Sequence, residues 1–148
     1  MILRVAIGGD HNGFEYKNTF GQSLKSRGFE VIDVGPFELD PGDDYPDFAI
    51  GVGKEIQEGR ADRGIVICGS GVGASVAATK LRGVRAAVCH DTYSAHQGVE
   101  HDDMNVLCIG SKIVGPHLAN ELINAFLAAS FSGEERHLRR LSKVAELE

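Results

Sequence analysis

Little in this 148-residue chain suits a secreted, membrane-spanning or polyanion-binding protein. Cysteine is scarce, with three residues and no small-domain spacing. A disulfide framework is therefore not expected, and a reducing, cytoplasmic setting is. Long hydrophobic runs are missing. None approaches the ~18 residues that cross a bilayer. Arg4 also breaks the short apolar start, which leaves no core for a signal peptide. Positive charge is in deficit, with 15 Lys and Arg against 21 Asp and Glu for a net charge of −6. An overall basic surface that would hold nucleic acid is excluded, so any anion site must be local. Proline is rare too, and Pro36, Pro41 and Pro46 crowd into one acid-rich stretch, residues 35–47, expected to be a surface loop.

Glycine is abundant instead, 19 residues, well above the usual ~7%. That excess points to sharp turns or to places where backbone approaches a ligand. Five short apolar runs, at 3–7, 29–34, 64–68, 84–88 and 106–109, alternate with helical stretches at 12–27, 46–59, 71–81, 91–100 and 115–130. The alternation predicts βαβ units, and hence one α/β domain over residues 1–148 built on a five-stranded parallel sheet. Residues 132–148 read as a charged C-terminal helix on which Leu138, Leu141, Val144 and Leu147 make a narrow apolar stripe. Such a stripe must dock, either on the body of the chain or on a partner subunit.

In an open parallel sheet, ligands collect outside the carboxyl ends of the strands. There stand Asp10 and His11 after the first run, and Cys68, Gly69, Ser70, Gly71, Val72 and Gly73 after the third. Cys89, His90 and Asp91 follow the fourth, and His101 to Asn105 precede the fifth. Passing from a β-rich run into a helix, the glycines of 69–73 let consecutive backbone N–H groups face one concavity, and the helix N-terminus adds partial positive charge. The same field lowers a thiol pKa, making Cys68 a candidate base or nucleophile; the plainer reading is a small buried hydrophobe beside a tight turn. Gly69, Gly71 and Ala74 loosely match a dinucleotide fingerprint, but that motif normally follows a first strand and here follows a third.

His11 and His101, at expected strand ends among acids, are candidate acid–base groups. A lone His is more often structural, and His90, His96, His117 and His137 are read that way. A metal site could be assembled from His101, Asp102, Asp103 and Asp10, but no ligand pair has helical or Cys-x-x-Cys spacing, and no metal is expected. Arg136, Arg139 and Arg140 concentrate positive charge on an acidic chain. They are either a solvated face paired with neighbouring Glu residues or a phosphate clamp.

The blocks at 7–14 (Ile-Gly-Gly-Asp-His-Asn-Gly-Phe), 44–47 (Asp-Tyr-Pro-Asp) and 64–73 (Gly-Ile-Val-Ile-Cys-Gly-Ser-Gly-Val-Gly) resemble the type B ribose-5-phosphate isomerases and the related galactose-6-phosphate isomerase subunits. So do those at 83–88, 93–95, 101–106, 110–115 and 136–140, and together they cover nearly the whole chain. The resemblance implies a Rossmann-like three-layer αβα sandwich. It also implies an aldose–ketose isomerase of a phosphorylated pentose in the pentose phosphate pathway, with no metal or organic cofactor.

Carried onto this chain, it makes Cys68 the base that works through a cis-enediolate and His101 the acid that opens the furanose ring. Gly69, Ser70, Gly71, Val72 and Gly73 would hold the oxyanion. Asp10 and His11 would contact the sugar end and phosphate, and Arg136 and Arg140 would grip the phosphate from the partner subunit of a homodimer with shared sites, whose pairing into tetramers is left open. Asp102 stands where an Asn is usual, and Lys112 where an Arg is usual. The first replaces an amide donor by an acceptor and the second loses a bidentate fork. These departures bear on the sugar, so allose 6-phosphate or galactose 6-phosphate stays an alternative to ribose 5-phosphate. A noncatalytic phosphate- or nucleotide-binding module is the alternative of a different class.

Overall fold

The computed structural model describes residues 1–148. Strands β1 (Arg4–Gly9), β2 (Glu30–Asp33), β3 (Arg63–Cys68), β4 (Ala86–Val88) and β5 (Val106–Gly110) form one sheet in the order β2-β1-β3-β5-β4, every pair parallel. Helices α1 (Phe14–Ser26), α2 (Tyr45–Gln57), α3 (Val72–Thr79), α4 (Thr92–Asp102), α5 (Pro116–Ala128) and α6 (Glu135–Ala145) complete the chain. No helix is long and apolar enough to cross a membrane.

The central strands are buried on both faces, which is why they read as continuous apolar runs rather than as alternations. Val5, Ile7, Ile65, Ile67, Leu107 and Ile109 pack under α1, α4 and α5 with Leu24, Val99, Leu122 and Phe126. Ala6, Val66, Cys68, Val106 and Cys108 turn to the other face, where α2 and α3 contribute Ala49, Val52, Ala74 and Ala78. Residues there are small, so the helices approach closely; a Cβ on Gly64 would lie 2.3 Å from Val52. Every helix expected from the sequence is present.

Two boundaries matter for function. The first strand runs on to Gly9 because its glycines admit close neighbours: a Cβ on Gly9 would lie 2.6 Å from the Ile67 carbonyl. α4 continues two residues past its expected end and stops at Asp103, whose φ of 47° is left-handed and closes the helix.

From β1 the chain moves to β2 on one side and then crosses to β3 on the other. The crevice beyond the carboxyl ends of β1 and β3 is therefore the topological switch point. At the far edge of the sheet a groove lies between β4 and α6, and α6, of which only His137 is buried, packs against α4. Leu138 and Val144 remain half exposed and Leu147 more so. The C-terminus is tied back where Arg82 donates to the Glu148 carbonyl and Gly83 N–H donates to its carboxylate.

Candidate active site at the carboxyl edge

The end of β3 delivers Cys68 to the switch point. Its side chain is turned to the α2–α3 face and almost wholly buried, but Sγ is not inert packing: it accepts the Gly71 N–H at 3.1 Å. Gly71 has φ +81°, a left-handed conformation that a side chain disfavours, and its position leaves 3.1 Å between a Cβ and the Ile109 carbonyl carbon. That twist starts α3 directly after the thiol. The carbonyl of Gly69, four residues before Gly73, accepts Lys112 N–H at 3.0 Å rather than closing the helix turn, and Val72 N–H donates to Ser70 Oγ at 3.3 Å, so of these donors it is the Gly73 N–H that stays open to a ligand. A Cβ on Gly73 would meet the Tyr45 ring at 2.5 Å, so the ring at the start of α2 lies directly over the turn.

Asp10 and His11 follow β1. Asp10 is buried, and its Oδ1 accepts the N–H groups of Asn12 (2.9 Å) and Gly13 (3.2 Å), which seats α1 against β3. Nδ1 of His11 lies 2.7 Å from Asp43 Oδ1, and the same oxygen accepts the His11 N–H at 3.0 Å. The hydrogen bond to Asp43, helped by the charges of Asp10 and Asp43 and opposed by burial and Lys112, holds the imidazole above the ordinary histidine range. Asp43 Oδ2 is buried without a partner. Such a carboxylate favours a protonated ring beside it. Lys112 completes this half of the site: a Cβ on Gly69 would meet Asn12 Nδ2 at 3.3 Å and Lys112 Cδ at 3.8 Å. Sequence reasoning missed Asp43 and Tyr45 as site residues; the acid-rich stretch at 35–47 was the only sign of the first.

His101 is elsewhere. Instead of standing in a loop at a strand exit, it occupies the last turn of α4, which packs back along the sheet. Just after it, the Asn105 carbonyl accepts the N–H of Gly64, near the amino end of β3. Cys68 is at the other end of that six-residue strand, roughly 16 Å along at ~3.3 Å per residue. The carboxyl-edge rule misplaced His101 because the residues preceding a parallel strand lie at its amino end.

There His101 stacks on His137, ring centroids 4.2 Å apart, while Gln97 Nε2 lies 2.8 Å from its Nδ1. Burial first, then the charges of His101 and Arg136, keep His137 below the ordinary histidine range. Arg136, paired with Glu134, and Arg140 stand exposed on the same helix as His137, and Asp102 lines a groove between α6 and β4 with Arg85 and Leu141. The metal group contemplated from sequence is thereby divided. The convergent set is instead Asp10, His11 and Asp43, with ligand atoms within 4.8 Å, a geometry the His11–Asp43 hydrogen bond accounts for.

Burial raises the thiols of the other two cysteines, Cys89 to about 11 and Cys108 further. Both stay protonated and inert, which leaves Cys68 as the cysteine in contact with an open donor turn.

A five-stranded parallel α/β sheet with a thiol under a glycine turn at its switch point defines a class of small-ligand-binding α/β proteins with chemistry at the carboxyl edge. The chain belongs to the Ribose/Galactose Isomerase family, whose model matches residues 5–144. It is 42% identical over 147 residues to the ribose-5-phosphate isomerase B of Escherichia coli, covering 99% of this chain and 97% of the relative. It is 35% identical to D-erythrulose-4-phosphate isomerase 2 of Mycolicibacterium smegmatis, covering 100% and 99%. Among solved structures, ribose-5-phosphate isomerase B of Mycoplasma genitalium with bound ribulose-5-phosphate is similar at TM-score 0.94 and 38% identity, covering 99% of this chain and 97% of that one.

Proposed function

We propose that the protein interconverts D-ribose 5-phosphate and D-ribulose 5-phosphate by proton transfer between C2 and C1. The observation that carries this is the Gly71 N–H donating to Cys68 Sγ at 3.1 Å at the start of α3, within a chain of the Ribose/Galactose Isomerase family. The Gly71 N–H and the start of α3 place donors directly against the sulfur, the atom that takes the proton. As Cys68 removes the C2 proton, negative charge moves onto the carbonyl oxygen, where the N–H groups of the 69–73 turn not already taken by Cys68 Sγ and Ser70 Oγ, that of Gly73 among them, receive it together with the Ser70 hydroxyl. One preorganised donor of this kind is worth ~10²–10³ in rate. The thiol then returns the proton to C1 while the hydroxyl proton on O2 passes to O1, and the cis-enediolate becomes the ketose. His11, whose proton Asp43 helps to hold, and Lys112 stand where the anionic end of the sugar would meet positive charge.

Ring opening needs an acid on the far side of the sugar, and His101 is at the wrong end of its own sheet to reach Cys68. A second copy related by a two-fold axis would bring its His101, Arg136 and Arg140 over the first copy's Cys68, as an isologous homodimer allows. The exposed apolar residues Val72 and Val76 on α3 and Leu138 and Val144 on α6 supply surface for that contact. The phosphate clamp then orients the sugar without reacting, so its binding free energy contributes to catalysis.

A second reading, isomerisation of another aldose phosphate such as a tetrose phosphate, is favoured by the relative named for erythrulose 4-phosphate and by Asp102 and Lys112. Incubation with ribose 5-phosphate in deuterated water tests the first. The expected result is ribulose 5-phosphate carrying deuterium from solvent, with the rate falling ~10²–10⁴-fold in Cys68→Ala. A tetrose phosphate turned over while ribose 5-phosphate is untouched selects the second, and a Cys68→Ala variant at the wild-type rate removes the base.

A further inference from the structure

β4 ends at Val88, and the last main-chain rung between it and β5 is the Cys89 N–H donating to the Cys108 carbonyl at 3.3 Å. In a parallel ladder the following rung would run from the Gly110 N–H to the Cys89 carbonyl. It does not: the Gly110 N–H donates to Nε2 of His90 at 3.0 Å. Nε2 must therefore present its lone pair, which puts the proton of the neutral imidazole on Nδ1. Gly110 is buried at the end of β5, and a buried N–H deprived of its acceptor costs about 1–3 kcal/mol.

What rests on Gly110 is the catalytic turn. A Cβ on Gly110 would lie 2.6 Å from the Ser70 carbonyl carbon and 2.7 Å from its Cα and oxygen. The next two N–H groups, of Ser111 and Lys112, donate to the carbonyls of Cys68 (2.8 Å) and Gly69 (3.0 Å). One continuous set of contacts therefore joins the His90 ring, the 110–112 turn and the 69–73 turn. We propose that His90 is a positioning residue of the isomerase site: its Nε2, standing in for a main-chain carbonyl, sets the 110–112 turn and through it the donors that meet the enediolate oxygen. This rests on the functional reading above, and His90 acts through the Gly110 N–H it accepts. The effect belongs to kcat, because a donor displaced by a fraction of an ångström loses most where charge develops in the transition state.

The test compares wild type, His90→Gln and His90→Leu by kcat and KM for ribose 5-phosphate and by amide hydrogen exchange at Gly110 and Ser111. The Gln carbonyl oxygen can occupy the Nε2 position and accept; Leu fills space and cannot. The Leu variant should lose about tenfold or more in kcat with KM moving less than about threefold, its Gly110 amide should exchange at least about tenfold faster, and Gln should recover most of both. A Leu variant with kcat within about twofold of wild type overturns the proposal, as do equal losses in Gln and Leu or a loss confined to KM. Should the Leu variant not fold, His90→Phe, which keeps ring volume without the acceptor, is judged by the same criteria. A wild-type protein inactive on ribose 5-phosphate fails the functional reading instead. In that case Gly110 exchange unchanged in the Leu variant still overturns the role of His90, and exchange that rises and is restored by Gln supports it.

Discussion

His11 and Asp43 show how a residue's chemistry depends on a neighbour remote in sequence. Nδ1 and Oδ1 are 2.7 Å apart across 32 positions. Because the folded pKa of His11 is raised, the pair contributes stability that is complete below the unfolded value of ~6.5 and is lost as pH rises through the higher folded value. Asp43→Asn should bring the His11 ring titration, followed by NMR, back toward the ordinary histidine midpoint, and an unmoved midpoint would deny the pairing. Cys68 was legible at this scale because its partners are contiguous: a thiol, glycines and a helix start within six positions. Asp43 was not, since an acid in a Pro- and Gly-punctuated loop carries no mark of the imidazole it meets. His90 was set aside as structural, and its bond to Gly110 depends on where two strands end.

Among the elements, α3 decides whether the donor turn exists. Gly71 combines φ +81° with backbone contacts at 3.1–3.3 Å from a would-be Cβ. Gly71→Ala should therefore lower stability by about 1–2 kcal/mol, measurable by urea denaturation, and should lower kcat as the N–H aimed at Cys68 Sγ turns away. A variant as stable and active as wild type would mean the left-handed start is dispensable. The elements themselves were readable, since apolar runs flanked by glycine mark buried parallel strands and the stretches between them carry helix caps. Ends were harder. His101 and Asp102 carry no helix-breaking signal, so nothing local marked that α4 includes them; the stop comes at Asp103, a non-glycine residue in a left-handed conformation.

For the molecule as a whole, the two halves of the proposed site lie at opposite ends of one sheet, with Cys68, His11 and Lys112 at the carboxyl edge and His101, Arg136 and Arg140 at the amino end. Mixing Cys68→Ala with His101→Ala and allowing subunits to exchange should restore about a quarter of wild-type turnover, because half the random dimers are mixed and each carries one intact site. No recovery would show that a single chain holds every group it needs. The sequence by itself determined the α/β class, the number and kind of elements, and the thiol with its glycine turn, because strand burial, helix capping and backbone freedom are local properties written in neighbouring residues. Only the tertiary structure decided the strand order, the meeting of His11 with Asp43 and of His90 with Gly110, and the separation of His101 from Cys68. Those depend on which strands pair and in which direction each helix returns, and these contacts join residues tens of positions apart.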